Sequence, residues 1–315
     1  MERKEALLKA YQRGHLLNLD NPMYLSWIKQ FIVEEIKGDV GSKGDITSNA
    51  VLIKDPLTNA LIYSREHGIV SGIEEVMYLY QNNNVKVIAQ KKDGDRIRPN
   101  EAILNLKGKE KDLLRVERSA LDILQRMSGI ATLTSQLISH VKGKVAIAPT
   151  RKTQWRYLDK KAVFSGGGLT HRLALWESIL IKDNHLKAVQ KENAKDPITE
   201  CLQRAWKHKK NANFIEIEVQ SMQDAIKAAT VFLHLQEISN HTPCIIMLDN
   251  MSPKETRKAV KELKRKDLYN HILLEASGKI RPNNILSYAN TDVDVLSLGY
   301  LTHSSRALDI KQKIL

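Results

Sequence analysis

The sequence has 315 residues, 42% of them hydrophobic and 5% aromatic, and a formal net charge of +13. Its apolar runs stop well short of the roughly 20 residues that cross a bilayer, and its N-terminus, MERKEALLKAYQR, is charged throughout, which argues against a secretion signal and a membrane partner. The two cysteines, Cys201 and Cys244, are too far apart for a C-x-x-C metal site and predict a reducing cytoplasm rather than a disulfide framework.

The first part of the chain combines two helices with a small sheet. Leu7, Leu8 and Tyr11 share one face of the first helix, and Asn21-Pro22 is typical of the start of the second, so residues 1–38 are predicted to be helical. From about residue 49 to residue 108, short β-rich runs alternate with turn signals. These runs are VLIKD, LIYSR, GIVSG, VKVIAQ and AILNLKG.

A long helix follows between about residue 109 and residue 141. Apolar residues recur along it at three- and four-residue steps, which predicts one buried face. These residues are Leu113, Val116, Ala120, Leu124 and Met127. The length of the chain predicts two domains, so we expect residues 1–142 to form the first and this helix to bridge it to the second.

Residues 143–300 alternate strand-like runs with amphipathic stretches, which is the pattern of βα units. The runs are KVAIAP, SILIKD, NFIEIEV, CIIMLDN, HILLEASG and VDVLSLG. Such units form a parallel (β/α) barrel or an open sheet, and polar residues at the run ends favour the barrel, whose strand ends meet at one mouth. These are Arg151, Lys182, Glu218, Asp249, Ser277 and Gly299. We expect residues 301–315 to form a helix packed on the first domain.

The run NFIEIEV places two carboxylates on one face of a strand. Glu216 and Glu218 are two residues apart, so both project to the same side, opposite Ile215 and Ile217. In a barrel that side is the interior, where a carboxylate needs a cation, a metal or a hydrogen-bonded ligand. The alternative is an edge strand with both glutamates in water.

Basic residues cluster in the adjoining βα units. Like charges are tolerated there only if anions balance them, and arginine and lysine suit carboxylates and phosphates. The residues are Arg151, Lys152, His171, Arg172 and Lys182. The cluster predicts a substrate with more than one carboxylate and a phosphorylated partner, and the alternative is a solvated basic rim without a ligand.

A second basic stretch, KETRKAVKELKRK at residues 254–266, raises the alternative of a nucleic-acid-binding module. Its bases alternate with Glu255 and Glu262, and Ala259, Val260 and Leu263 form an apolar stripe, so it predicts a solvated barrel helix. No aromatic residues lie between the bases for stacking. We therefore expect no nucleic acid partner.

Several stretches, in one order along the chain, resemble the quinolinate phosphoribosyltransferase family. They are VERSALDILQRMSGIATLT, TRKT, AVFSGGGLTHR, ILIKDNH, EIEV, MLDN, LLEASG and VDVLSLGYLTHS, with GDVGSKGDITS nearer the N-terminus. The resemblance implies an α/β fold in which an N-terminal open sandwich domain joins an incomplete (β/α) barrel. It implies that quinolinate and phosphoribosyl pyrophosphate yield nicotinate mononucleotide, pyrophosphate and carbon dioxide, with Mg²⁺, in NAD biosynthesis.

The resemblance also implies roles for individual residues. Arg118 would reach the site of a neighbouring subunit, which makes a homodimer necessary. The quinolinate carboxylates would be held by Arg151, Lys152, His171, Arg172 and Lys182. Glu218 and Asp249 would hold the ribose hydroxyls and the magnesium, and the residues near the phosphate would be Ser277, Gly278, Gly299 and His303. Lys152 and Lys182 would assist catalysis as electrostatic clamps.

Two features depart from the family's usual pattern. Members continue TRKT with Thr-Pro-Gly-Leu-Arg, whereas Gln154-Trp155-Arg156 follows here, and Trp155 either stacks on the aromatic acid or caps the strand end. The stretch before Asp249, including VFLHLQEISNHT, is longer and predicts an enlarged helix and loop away from the mouth. A relative that accepts a different aromatic acid remains the alternative, although Lys182 in IKDNH argues against it.

Overall fold

The computed structural model describes residues 2–238 and 242–315, which divide into two compact units. The barrel unit contains the residues up to Arg13, Leu137–Thr153 and Gly168–His303. The sandwich unit contains Gly14–Gln136, Gln154–Gly167 and Ser304–Leu315. These units differ from the contiguous stretches 1–142 and 143–300 expected from the sequence, because the chain passes from one unit to the other several times.

The helices and strands are numbered in chain order. The α-helices are α1 Arg3–Tyr11, α2 Pro22–Val40, α3 Ile46–Val51, α4 Ile73–Gln81, α5 Glu110–Val141, α6 Tyr157–Ser165, α7 Asp183–Lys191, α8 Pro197–Lys207, α9 Met222–Ile238, α10 Pro253–Arg265, α11 Ile285–Ala289 and α12 Tyr300–His303. The strands are β1 Leu57–Ser64, β2 Gly68–Ile69, β3 Lys86–Ala89, β4 Arg96–Ile97, β5 Ala102–Lys109, β6 Ala146–Pro149, β7 Ile179–Ile181, β8 Ile215–Val219, β9 Cys244–Asp249, β10 Leu273–Ser277, β11 Val295–Leu298 and β12 Ile310–Ile314.

The sandwich unit is built on a four-stranded antiparallel sheet in the order β12-β1-β5-β3, beside a small pair formed by β2 and β4. Ile62, Leu104 and Leu106 are buried on it. The predicted sheet is thus present, but the run VLIKD is not one of its strands. The side chain of Asp45 caps α3 by accepting the Ser48 N–H at 2.9 Å, so the helix continues to Val51.

The C-terminal segment also differs from its prediction. The expected helix at residues 301–315 is wrong except for its first residues, which end α12, because Ile310–Ile314 form strand β12. This strand pairs antiparallel with β1, with Ile62 opposite Gln312. An edge strand with alternating Lys311 and Lys313 is polar enough on one face to lack a clear strand signal.

The predicted long helix is confirmed as α5, Glu110–Val141, and it extends across the boundary between the sequence ranges of the two units. Its apolar stripe is buried as expected. All of Leu113, Val116, Ala120, Leu124 and Met127 have no exposed surface. Periodicity alone therefore located both the helix and its buried face.

The barrel unit contains six parallel strands in the order β6-β11-β10-β9-β8-β7. From β7 to β11, chain neighbours are also sheet neighbours, and β6, which precedes them all, closes the order next to β11. This order is cyclic, as in a barrel, whereas a doubly wound sheet reverses direction at its middle. No bond joins β6 to β7 among the described residues, so the barrel is incomplete.

The interior of this unit includes a residue from the first helix. Tyr11 of α1 is fully buried in a cluster with Ala148, Phe214, Ile245 and Val295. Outside, α10 buries Ala259, Val260 and Leu263 and carries its bases on the other face, which confirms the solvated-helix prediction. The helix of the enlarged stretch is α9, whereas the loop predicted after it falls partly on Ser239, Asn240 and His241, outside the described residues.

None of the described helices combines the length and the apolar character that a membrane crossing requires.

Candidate active site

A cavity of about 690 Å³ opens at the C-terminal ends of the barrel strands. The predicted site residues that line it are Arg151, Lys152, His171, Arg172, Lys182, Glu218, Asp249, Ser277, Gly278, Gly299 and His303. They follow or end each of the six strands, including the edge strands β6 and β7. Residues from opposite edges share one cavity only if the sheet curves, which supports the barrel over the open sheet.

The cations of the cavity lack enough anions to balance them. Arg151 and Lys152 are exposed at the cavity wall, and neither makes an ion pair in residues 2–238 and 242–315. Arg172 is buried and donates from Nη1 to the Ser178 carbonyl at 2.9 Å, while its Nε has no hydrogen-bond partner in that part of the chain. Burial, and then the charge of Arg151, lower the pKa of Arg172. An anionic ligand would relieve both penalties.

His171 lies on the floor of the cavity, between two buried carboxylates. Its Nε2 is 3.4 Å from Glu216 Oε2 and 3.4 Å from Glu275 Oε2. Glu216 has no exposed surface, and its strand β8 lies between β7 and β9, so the edge-strand alternative is wrong. The prediction that both glutamates of EIEV face the interior is confirmed, with Glu216 below and Glu218 at the mouth.

Glu218 and Asp249 form the acidic part of the cavity. Burial and then the Asp249 charge raise the pKa of Glu218, whereas Lys182 lowers it, with its Nζ 3.9 Å from Glu218 Oε2. The Nδ2 of Asn250 donates to Asp249 Oδ2. Two neighbouring carboxylates that repel each other offer the oxygen ligands that Mg²⁺ prefers, so the donor set fits that ion.

Small residues allow the loops after β10 and β11 to pack closely at the cavity. A Cβ on Gly278 would lie 2.5 Å from Asn250 Oδ1, so this position requires glycine, as does its φ of +95°. A Cβ on Gly299 would lie 3.1 Å from His303 and 3.3 Å from Lys152. The Thr302 hydroxyl donates to the Lys152 carbonyl at 2.7 Å, which fixes the loop after β6.

Two residues singled out in the sequence do not line this cavity. Arg118 lies on α5 in the sandwich unit, where its exposed guanidinium pairs with Asp122 at 2.9 Å. Trp155 belongs to the same unit and packs edge-on against Phe31, with ring centroids 5.4 Å apart, and beside Arg126. Trp155 therefore packs on side chains of the sandwich unit, a contact that neither of its two alternatives described.

Sequence reasoning missed several residues of the site. Lys279 and Arg281 follow Ser277-Gly278 in the same loop and line the cavity, and the strand-end rule that found Arg151 could have found them. Glu275 also lines the cavity. Its strand HILLEASG carries a single acid, so it lacks the paired carboxylates that drew attention to EIEV. Tyr11 carried no site signal, because its partners lie far along the chain.

Comparisons with known proteins agree over nearly the whole chain. The family model described as quinolinate phosphoribosyl transferase, C-terminal domain, matches residues 130–313, and the N-terminal domain model matches residues 45–128. A probable carboxylating nicotinate-nucleotide pyrophosphorylase of Methanothermobacter thermautotrophicus is 37% identical over 90% of this chain and 97% of its own. One from Archaeoglobus fulgidus is 38% identical over 86% of this chain and 98% of its own.

Solved structures give the same result. The nicotinate-nucleotide pyrophosphorylase from Ehrlichia chaffeensis superimposes with a TM-score of 0.76 at 36% identity, covering 91% of this chain and 98% of that one. The enzyme from Francisella tularensis gives a TM-score of 0.78 at 29% identity, covering 92% and 96%. The two-unit fold is therefore that of solved structures of this kind.

Proposed function

The chain belongs to the quinolinate phosphoribosyl transferase family, and from this premise we propose how its cavity carries out the reaction. The protein is a pentosyltransferase of NAD biosynthesis that converts quinolinate and phosphoribosyl pyrophosphate to nicotinate mononucleotide, pyrophosphate and carbon dioxide. One observation carries the assignment of the site: Arg151 and Lys152, which make no ion pair within the described part of the chain, share one cavity with the carboxylates Glu218 and Asp249.

We assign quinolinate to the basic part of the cavity. Its two carboxylates would supply negative charge to Arg151 and to the buried Arg172, whose pKa stays lowered despite the charges of Glu216 and Glu177. A guanidinium binds a carboxylate with two parallel hydrogen bonds. Lys152, Lys182 and His171 add positive charge to the same walls. The diacid is then held with its ring nitrogen directed toward the sugar, which turns bond formation into a reaction between oriented groups.

The acidic part of the cavity suits the sugar. As pyrophosphate departs, positive charge develops on the ribose, and carboxylates fixed at that point stabilise it. Glu218 and Asp249 would accept hydrogen bonds from the ribose hydroxyls and are the residues that would hold Mg²⁺. That ion, when bound, neutralises the leaving pyrophosphate. The loops of Ser277, Gly278, Gly299 and His303 would hold the sugar phosphate.

Loss of carbon dioxide needs orientation more than a strong base. Once the ring nitrogen carries the ribose, its positive charge stabilises the electron pair that departing carbon dioxide leaves on the adjacent ring carbon, and a proton from water then forms the C–H bond of the product. Lys152 and Lys182 would hold the diacid in place while that bond breaks, and the arginines would retain the second carboxylate. The order of events follows from the charge of the ring, since only the alkylated ring is a good electron acceptor.

We also propose that the enzyme acts as a homodimer in the cytoplasm. The exposed guanidinium of Arg118 on α5 would reach another subunit at the cost of one exposed ion pair with Asp122 and one exposed hydrogen bond to Gln125. Such a pair contributes little to stability, so exchange for a substrate carboxylate is favourable. The unpaired thiols of Cys201 and Cys244 suit a reducing compartment.

The proposed substrates are tested by turnover. Purified protein given quinolinate, phosphoribosyl pyrophosphate and Mg²⁺ should release one carbon dioxide and one pyrophosphate for each nicotinate mononucleotide formed, measured with carboxyl-labelled quinolinate. A panel of pyridine and benzene mono- and dicarboxylates serves as the control for the acceptor. Turnover of another aromatic acid in preference to quinolinate, or none with all three components, would contradict the assignment.

Lys279 gives a prediction in which binding and stability change in opposite directions. Its φ of +55° is costly for a residue with a Cβ, so Lys279→Gly should leave the melting temperature unchanged or higher. Loss of its charge at the phosphate loops should nevertheless raise the KM for phosphoribosyl pyrophosphate about tenfold, the effect of one charge-assisted contact. The measurements are steady-state kinetics and thermal unfolding.

The matched control is Lys142→Gly, because Lys142 is also an exposed lysine with a φ of +52° but does not line the cavity. It should show the same change in melting temperature and an unaltered KM. If both variants bind phosphoribosyl pyrophosphate like the parent, Lys279 belongs to a solvated rim and not to the site.

A further inference from the structure

The N-terminal helix reaches the floor of the cavity through one buried tyrosine. Tyr11 has no exposed surface, and its hydroxyl donates to Glu275 Oε2 at 2.5 Å. Its ring meets the His171 ring edge-on, with centroids 5.1 Å apart, and stacks on Phe214 at 5.7 Å. A residue 264 positions away in sequence from Glu275 therefore contacts two residues beneath the substrate cavity.

Glu275 is the better held of the two carboxylates that face His171. Its Oε2 accepts from Tyr11, and its Oε1 accepts from the Ser297 hydroxyl of the adjacent strand β11. Glu216, by contrast, has no hydrogen bond to either oxygen among residues 2–238 and 242–315. Hydrogen bonds to a carboxylate favour its charged form, so the negative charge of the cluster resides mainly on Glu275.

These contacts determine the charge of His171. Burial alone would lower the pKa of its imidazole, but Glu275 first and Glu216 second outweigh burial and raise that pKa to about 9. Burial would likewise raise the pKa of Glu275, but His171, Ser297 and Tyr11 bring it below its usual value. Each partner thus favours the charged form of the other.

One contact opposes this arrangement. The backbone N–H of Arg172 points at His171 Nδ1 from 2.6 Å, which suits a neutral ring. Two fully buried carboxylates outweigh one peptide dipole, because charges interact more strongly at low dielectric. The carboxylates from β8 and β10 therefore determine the charge of the ring. The charge of the Arg172 side chain acts on Glu216, whose pKa it lowers.

We propose that Tyr11 and Glu275 are positioning residues that keep His171 as an imidazolium in the wall of the cavity, where its charge helps to bind the diacid. This rests on the proposed function, since it assigns the neighbouring pocket to quinolinate. Tyr11 acts through Glu275, and Glu275 acts through His171, and neither is assigned a contact with substrate. The N-terminal helix thereby supports the charge of the cavity wall through Tyr11.

The test replaces single hydroxyls. In the parent enzyme, His171 is protonated below its pKa of about 9, so quinolinate binding should weaken as pH rises through that value. Tyr11→Phe removes the hydrogen bond that favours the Glu275 carboxylate, so His171 should lose its proton earlier. The basic limb of kcat/KM for quinolinate should move to lower pH by about one unit, mainly through KM.

Tyr24→Phe is the matched control. Tyr24 is also fully buried, and its hydroxyl donates to a buried carboxylate, Glu75, at 2.7 Å, but in the sandwich unit. It should lose stability like Tyr11→Phe and keep the pH profile of the parent. If Tyr11→Phe has the profile of Tyr24→Phe, Tyr11 is merely structural and the proposal fails.

A second measurement does not depend on turnover. Imidazole resonances of labelled histidine can be followed by NMR during a pH titration, with the His171 signal assigned by its loss in His171→Gln. The signal should titrate near pH 9 in the parent protein and at lower pH in Tyr11→Phe and Glu275→Gln. If the parent protein shows this titration but no turnover, the proposed function is rejected, and the positioning role of Tyr11 and Glu275 stands. If the His171 signal of the parent titrates at the ordinary pH of histidine, that positioning role is itself overturned.

Discussion

Replacement of Lys182 with alanine should lower kcat/KM for quinolinate by about 100-fold, the effect of removing one charge-assisted contact with the substrate. Lys182 lies between β7 and α7, as the N-cap residue of α7, and its Nζ lies 3.9 Å from Glu218 Oε2. The substitution removes a cation for the diacid and also the charge that opposes the raised pKa of Glu218. Quinolinate should therefore bind more weakly, and the pKa of Glu218 should rise further.

The measurement is steady-state kinetics with each substrate varied in turn, together with thermal unfolding. Lys182 is half exposed, so the melting temperature should change little. Lys187→Ala is the control, because Lys187 lies on the same helix and pairs with Asp183 at 3.0 Å outside the cavity. Activity in Lys182→Ala equal to that of Lys187→Ala would mean that Lys182 holds neither the substrate nor Glu218.

The parts of the fold that the sequence predicted are those with a strong local pattern. The barrel strands are buried apolar runs bounded by turns, and α5 has an unbroken apolar stripe, so each shows its type without knowledge of its neighbours. Strand β12 could not be found in this way. It is an edge strand with Lys311 and Lys313 on one face, and only its pairing with β1 makes it a strand.

The site residues that the sequence predicted are charged residues at the ends of strand-like runs. The C-terminal ends of parallel strands converge, so Arg151, Lys182, Glu218 and Asp249 could be grouped from their places in the runs. Tyr11 could not be grouped with them. Its role depends on a tertiary contact with Glu275, and a tyrosine on an amphipathic helix gives the same signal whether it meets a carboxylate or a leucine.

Buried charge in the sandwich unit has a structural role that contrasts with the cavity. Lys161 on α6 is buried, and its Nζ lies 2.5 Å from Glu74, 2.7 Å from Glu75 and 3.4 Å from Asp93. Burial alone would lower the pKa of Lys161, but these three carboxylates raise it. Arg151 and Lys152 of the cavity make no ion pair within residues 2–238 and 242–315, whereas Lys161 is already paired with carboxylates.

Lys161→Met should therefore lower the free energy of unfolding by about 3–5 kcal/mol, because it leaves buried carboxylates without their cation. Urea unfolding followed by circular dichroism measures the loss. Adding Glu75→Gln to Lys161→Met should recover part of it, since the second change removes one of the uncompensated charges. Lys264→Met is the control, because Lys264 makes an equally short contact of 2.7 Å with Asp292, but on the surface, where an ion pair contributes little. Equal losses in Lys161→Met and Lys264→Met would show that the carboxylates around Lys161 are solvated or protonated, and that the network does not hold the sandwich unit together.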